Sequence, residues 1–562
     1  MSDAVAIDNP TVADEGQSSA WRQRLAVLDK WLEAAGDRLN PILVKETRQA
    51  IKSKQFAITF VLLLMLCWIV TIGGLTLLGP GVYYSAAGGE LLKAYMFLLL
   101  FPLAVVVPFS AFRSLSSERE ENTYDLLRVS TLSPHQIVRG KLGSAAVQMG
   151  VYLSAVAPCI AFTYLLRGVD VVTIAVMLLY ATLGSLGLAM TSLFMAALAQ
   201  GKHGQVLLSV GVVTMLLGSF AGSAGLAIAY LDEGRYEVSR EELRIFSAGA
   251  LTFYLTTFAL LYLAAVALIS YRSENRSTSL RWAMIVQQAA FIGWMAWAWL
   301  RFNYEPEGLI VALIIGAIYW YAMGTMLTSE SPELSNRVRR RLPQSSMGRL
   351  VRGLLNPGPG TGYLFAVACF TGLCLMACAA LVYVQYVPLS QRRNYQYPEI
   401  IGGMILLWCY LVTYLGVGKL IIAGINRLVP VNAIAGFLLH VIFLMAGAGI
   451  PLVIQLSLRS MRNAGYTALQ LSNPFWTLGE LLEGGGFSDK EIILQSIVLG
   501  AVAVCILMVN MPGTAREFMQ GRVALPQRVA QDEAELHPVE IKPQNPWEEE
   551  AEAAADPDGT EA

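Results

Sequence analysis

The chain has 562 residues, of which 55% are apolar and only 14% charged, where a soluble domain carries about 25% charged residues. The mean hydropathy is +0.53. These values exclude an ordinary water-soluble enzyme and a disordered chain, and point to a polytopic membrane protein. The net charge of −1 hides a division: residues 532–562 hold eleven acidic residues against Lys542 alone, and the rest of the chain carries an excess of nine Lys/Arg.

The first twenty residues are acidic (Asp3, Asp8, Asp14, Glu15), the reverse of a signal peptide's basic leader, so the N-terminus is expected in the cytoplasm. Residues 1–55 read as a cytoplasmic segment with two amphipathic helices. The first, 20–38, gathers Leu25, Leu28, Trp31 and Leu32 on one side. The second, 41–55, sets Lys45, Arg48 and Lys52 in a basic stripe, with Val44, Thr47 and Ile51 on another face. Such a helix lies on the inner leaflet or simply anchors the following span by its charge.

Twelve apolar runs are long enough to cross the roughly 30 Å hydrocarbon layer: 56–78, 91–109, 144–166, 171–199, 206–231, 248–269, 283–300, 309–327, 363–387, 400–422, 433–458 and 492–509. The expected fold is therefore all-α and polytopic, in two sets of six, 56–270 and 271–510. Residues 511–562 are expected to form a solvated acidic cytoplasmic tail. With the N-terminus inside, inner segments hold 23 Lys/Arg and outer loops 10. The positive-inside rule then puts both termini in the cytoplasm. Similarity between the two sets is faint; Asn40-Pro41 and Asn356-Pro357 do not occupy equivalent positions.

Chemistry-bearing motifs are scarce. The sequence has no G-x-x-x-x-G-K-[ST], H-E-x-x-H or G-x-S-x-G. The seven cysteines lie in apolar runs without a C-x-x-C, and the four histidines are far apart, so neither a metal site nor a cofactor is expected. No Asp or Glu falls in an apolar core, which argues against an ion-coupled carrier. Lys93 and Lys419 near span ends are expected to snorkel. His440, Gln287 and Gln288 are expected to make interhelical hydrogen bonds, and Gly218, Gly222 and Gly225 to allow close helix packing. The outer segment 459–491, with Asn473-Pro474-Phe475-Trp476, reads as a lipid-facing stretch or as re-entrant pieces.

The second cytoplasmic loop, 110–142, is the most informative. Ser117 is expected to cap a short acidic helix with an apolar edge at Tyr124, Leu126 and Leu127, and Ser133-Pro134 to start a second helix that runs into the third span. A short acidic helix hanging below the bilayer has the shape of a docking element.

This loop resembles the permease subunits of ABC-2 type ATP-binding cassette transporters. Glu118, Glu120, Thr123, Leu127, Leu132, Ser133, Ile137, Val138, Gly140 and Lys141 match the family's pattern after its second span, while Asn122 stands where Gly is usual and Thr131 where Pro is. The run Asn40 to Arg48 is similar to the family's interfacial helix. The resemblance covers residues 40–270, and 328–352 has the look of a degenerate counterpart. It implies a permease without its own nucleotide site, in the plasma (inner) membrane, driven by a separate ATP-binding subunit. The chain would act alone, as a homodimer or with another permease, amid membrane lipids and without nucleic acid. Glu118, Arg119, Glu120, Thr123, Asp125 and Leu127 would couple it to the ATPase. A non-transporting membrane scaffold and an ATP-independent lipid or polysaccharide carrier are the competing expectations.

Overall fold

The computed structural model describes residues 40–536 apart from 80–87, 121–131, 200, 233–239, 272, 303–305, 341, 344, 346–347, 349–351, 387–396, 430, 459, 462–464, 483–487 and 525. Two expected features, the helix at 20–38 and the tail beyond 536, lie outside the described residues. Among the described residues the protein is all-α, and twelve helices are long and apolar enough to span a bilayer. Spans 1 to 6 are Lys54–Leu77, Gly88–Glu120, Pro134–Leu165, Val171–Leu198, Gly204–Asp232 and Arg244–Ile269; spans 7 to 12 are Thr278–Arg301, Gly308–Leu327, Pro359–Gln385, Pro398–Ile425, Ala433–Ser457 and Lys490–Phe518.

Each apolar run coincides with one span, but several helices run further past the apolar stretch than hydropathy alone suggests. Span 2 has 33 residues, about 50 Å at 1.5 Å per residue, well beyond the hydrocarbon thickness. It also changes pitch, since Pro102–Val106 forms a π-helical turn. The Ser185 hydroxyl on span 4 donates to the Leu103 carbonyl within that turn, recovering backbone capacity that a proline disrupts.

The spans build two cores. One gathers residues from Ile42 to Ile269 around Tyr95, Tyr152 and Met190, and the other gathers residues from Leu260 to Ala503 around Trp320, Tyr363 and Phe370. The neighbour relations inside the two sets repeat. Span 2 packs on spans 3, 4 and 5, span 3 on 4 and 6, and span 4 on 5 and 6; likewise span 8 packs on 9, 10 and 11, span 9 on 10 and 12, and span 10 on 11 and 12. Spans 6 and 7 join the sets. The internal correspondence that the sequence leaves faint is plain in the packing.

Several polar side chains inside the bundle find hydrogen-bond partners, within their own helix or on a neighbouring one. His440 is fully buried; its Nδ1 lies 2.9 Å from the Gly436 carbonyl, and its Nε2 is 3.5 Å from Thr328 Oγ1. Gln287 donates to Thr257 on span 6 and accepts from Tyr319 on span 8, while Gln288 donates to the Cys369 carbonyl on span 9. Two expectations need correction. Gly218, Gly222 and Gly225 are exposed with nothing within 4 Å of an added Cβ, so they do not mediate helix contact among the described residues. Lys419 does not snorkel: it is buried, 3.4 Å from Thr514 Oγ1 with its ammonium over the Tyr363 ring, because span 12 and span 9 cover it. Lys93 stays near the outer end, where it pairs with Glu90 and with Asp232 of span 5.

The close approaches instead fall on other glycines. A Cβ at Gly418 would meet the His440 ring at 2.4 Å. Gly418→Val is therefore expected to destabilise the protein by about 1–3 kcal/mol through overpacking. Gly222→Ala, facing open space, should be neutral or stabilising by up to about 1 kcal/mol through helix propensity. Thermal unfolding of the two variants in detergent reads the difference.

Candidate functional site

Of the residues that carry the resemblance, those that the structure describes gather where the end of span 2 meets the start of span 3. Asn40 caps the leading helix Pro41–Ile51, its Oδ1 accepting from the Ile42 amide at 3.1 Å, and Pro41 supplies the preset first turn. The Asn40 side-chain amide also donates to the Gln136 carbonyl. Gln136 belongs to the cap of span 3: Ser133 and Gln136 form a reciprocal capping box ahead of Pro134. The cap expected at Ser133 is thus in place, and the leading helix is tied to it.

What brings the two helices together is missing side-chain bulk. A Cβ at Gly140 would lie 2.8 Å from Ile42 Cβ, and one at Gly143 would lie 2.8 Å from Leu43 Cδ1. The leading helix lies on this glycine surface with Ile42 and Glu46, one turn apart, as its buried side. The expected division of the helix holds for the charges, since Lys45, Arg48 and Lys52 are exposed. It fails for the opposite side, because Ile51 is exposed and Glu46 takes the buried position.

Glu46 is buried for a reason. Lys141, 2% exposed, donates to Glu46 Oε1 at 2.9 Å and to the Ser114 carbonyl at 3.0 Å. The same ammonium lies 3.0 Å from Glu118 Oε2, and Lys45 Nζ approaches Glu118 Oε1 from the solvent side at 3.6 Å. Two lysines and two glutamates thus form a neutral cluster that fastens the leading helix, the end of span 2 and the start of span 3 to one another. Burying such charges costs several kcal/mol per ion unless pairing is complete, so each member depends on the others.

This geometry revises the docking set. Ser117 caps nothing: it sits inside the helix that runs to Glu120. The helix continues because Ala111, Phe112 and Leu115 extend its buried face beyond the membrane. Acidic residues at a helix C-terminus oppose the helix dipole, and Lys141 offsets that at Glu118. Glu118 is therefore buried and paired. Arg119 donates to the Ala199 carbonyl at 2.7 Å, tying span 2 to the end of span 4. Both side chains are engaged inside the protein and act as positioning groups. Glu120 is exposed. Thr123, Asp125 and Leu127 lie outside the described residues. Glu46 was not singled out from the sequence; its signal was an acid one residue after Lys45 in a helix too basic to need it for solubility.

The second set has its own clasp at the matching place. Arg281, fully buried at the start of span 7, pairs with Glu330 just past span 8 at 2.8 Å, and donates to the Leu354 carbonyl and to Thr361 Oγ1. Glu330 also accepts from the Gly358 amide at 2.8 Å. Glu517 at the end of span 12 accepts from the Gly360 and Thr361 amides at 2.9 Å, capping span 9. A Cβ at Gly360 would stand 2.8 Å from Thr514 Cα. Glu330 thus occupies after span 8 the place that Glu118 holds at the end of span 2, but its cation arrives from the preceding span.

Lys141→Gln takes the buried partner from Glu46 and leaves Glu118 with Lys45 at the rim, and is expected to cost about 3–5 kcal/mol, whereas Lys45→Gln at the exposed rim costs about 1 kcal/mol or less. Adding Glu46→Gln to Lys141→Gln should recover part of the loss. A double-mutant cycle read by thermal unfolding checks this, and equal effects of the two single lysine changes would remove the distinction between buried and rim charges.

In comparisons with known proteins, no family model, curated protein or solved structure matches the chain.

Proposed function

We propose that the chain is the membrane-spanning permease of an ABC-2 type transporter in the plasma (inner) membrane, moving its substrate with ATP hydrolysed by a separate subunit. The observation that carries this reading is the convergence of three sequence elements, the leading helix from Asn40, the acidic end of span 2 and Gly140-Lys141, on one neutral charge cluster. Residues far apart in sequence that resemble one family's motifs are mechanically joined. A partner pressing on the end of span 2 would load the leading helix and span 3 together, because their charges are shared.

On this reading both termini are cytoplasmic and the ATP-binding subunit sits below span 2. Glu120, exposed at the end of that helix, Thr123, Asp125 and Leu127 form the docking element. Glu118 and Arg119 hold it in position from within, and Lys45, Arg48 and Lys52 face anionic headgroups of the inner leaflet. Twelve spans with repeated packing provide two permease halves in a single chain, so a pair of ATP-binding domains can serve one copy.

A subunit bearing a Walker-A motif should co-purify in stoichiometric amount with the wild-type chain from its native membrane in mild detergent. Glu120→Arg or Leu127→Asp should lower its recovery about tenfold or more, while Arg427→Gln, on the cytoplasmic turn between spans 10 and 11, leaves it unchanged. If the chain is recovered intact and no such ATPase accompanies it, the reading fails.

A further inference from the structure

Between the two sets of spans lies a cavity of about 920 Å³, bounded by spans 6 and 7 and backed by spans 8 and 9. Its size falls in the range that holds a small organic ligand. The wall is aromatic and apolar, with Phe253 from span 6 and Phe291 and Trp294 from span 7. One end is closed. There Gln287 hydrogen-bonds to Thr257 and to Tyr319, stitching spans 6, 7 and 8 together. The other end carries Arg301 and Glu241, both exposed and neither in an ion pair among the described residues.

The dimensions single out one class of occupant. From Gln287 to Arg301 span 7 rises fourteen residues, about 21 Å. Half of a bilayer, from midplane to headgroup, is also about 21 Å. The cavity therefore has the depth of a single leaflet, with its blind end at the level of chain termini and its charged mouth at the level of headgroups. On the orientation that the loop charges favour, the leaflet is the outer one. The mouth offers one charge of each sign, which complements a phosphate joined to an ammonium. A guanidinium binds phosphate in a forked geometry, and Glu241 can receive the amine.

We infer that this cavity is a binding site for a zwitterionic glycerophospholipid, one acyl chain lying between spans 6 and 7 with the phosphate at Arg301 and the ammonium at Glu241. The site lies at the junction of the two sets, so an occupant wedges or seals the seam that the sets share. This assignment stands apart from the ATP-coupled reading, since it rests on the cavity and the bilayer alone.

The test uses the purified full chain in lipid nanodiscs containing phosphatidylethanolamine with a photoactivatable acyl chain. After irradiation, peptides from spans 6 and 7 should carry most of the adducts. Gly249 provides a filling variant, because a Cβ there meets only the Trp294 ring, at 3.8 Å. Gly249→Trp should occupy the cavity and cut these adducts about tenfold, with labelling of exposed Met65 on span 1 unchanged. Arg301→Glu leaves the cavity open and should abolish the preference for the phospholipid over a photoactivatable diacylglycerol. Adducts spread over all spans in proportion to exposure, or adducts at spans 6 and 7 insensitive to Gly249→Trp, would overturn the proposal. So would the absence of adducts at spans 6 and 7 in nanodiscs that hold two copies of the chain, which would mean that a second copy fills the site. An unfolded variant is recognised by loss of the Met65 labelling pattern, and Arg301→Glu then decides alone.

Discussion

The end of the first set where the leading helix meets spans 2 and 3 depends on where one ammonium group is held. Lys141 enters the bundle seven residues into span 3 and is almost sealed from water. It can stay charged there only because Glu46, Glu118 and the Ser114 carbonyl surround it. That requirement fixes the leading helix against span 3, which in turn requires glycine at 140, since any larger residue would push Ile42 away. It also lets span 2 project past the bilayer with acidic residues at its C-terminal end, an arrangement the helix dipole disfavours when left unpaired. One buried cation thus sets the position of three helices.

The second set solves the same mechanical problem with other groups. Its cation, Arg281, comes from span 7, its acid from beyond span 8, and the N-terminus of span 9 is capped by Glu517 from span 12. The neighbour relations among spans 2 to 6 nevertheless recur among spans 8 to 12. Packing within a bilayer is set by shape and by small residues more than by hydrophobic identity, so a span can exchange Leu for Val or Phe and keep its neighbours. Charged clasps lack that freedom. A lone change of one partner leaves a buried charge exposed to the full cost of desolvation, so the clasps differ as whole sets and not residue by residue.

That contrast explains what could be read from the sequence. The twelve spans were legible because hydropathy over about twenty residues is a bulk property, insensitive to detail. The cap at Ser133, the hydrogen-bonding of Gln287 and Gln288 and the structural use of His440 were legible because a polar group in an apolar run must find a partner. Helix ends were not, because they are decided by long-range pairing. Span 2 continues past Ser117 owing to Lys141, some two dozen residues later, and Lys419 is buried owing to span 12, nearly a hundred residues later. The site was half legible. Lys45 stood out by spacing and Glu118 through the family resemblance, but the burial of Glu118 and the part played by Glu46 depend on a helix-to-helix approach that only the glycines at 140 and 143 hint at. The glycines at 218, 222 and 225 share that small-residue character and face open space, so spacing alone does not tell an interface from a surface.

The two clasps differ in how much motion they permit. In the second set, Arg281 and Glu517 bind backbone groups at the turn into span 9 as well as side chains. Backbone partners are fixed by the helix itself, so the starts of spans 7 and 9 and the end of span 12 are locked together. In the first set the cluster rests mainly on side chains, and one member, Lys45, is 60% exposed at its side chain. Long side chains can follow a displacement of an ångström or two without losing their partners. Span 2 carries a π-helical turn at Pro102–Val106 midway along its length, a place where a helix changes direction at low cost. A force applied near Glu120 would therefore meet a more yielding base in the first set than in the second.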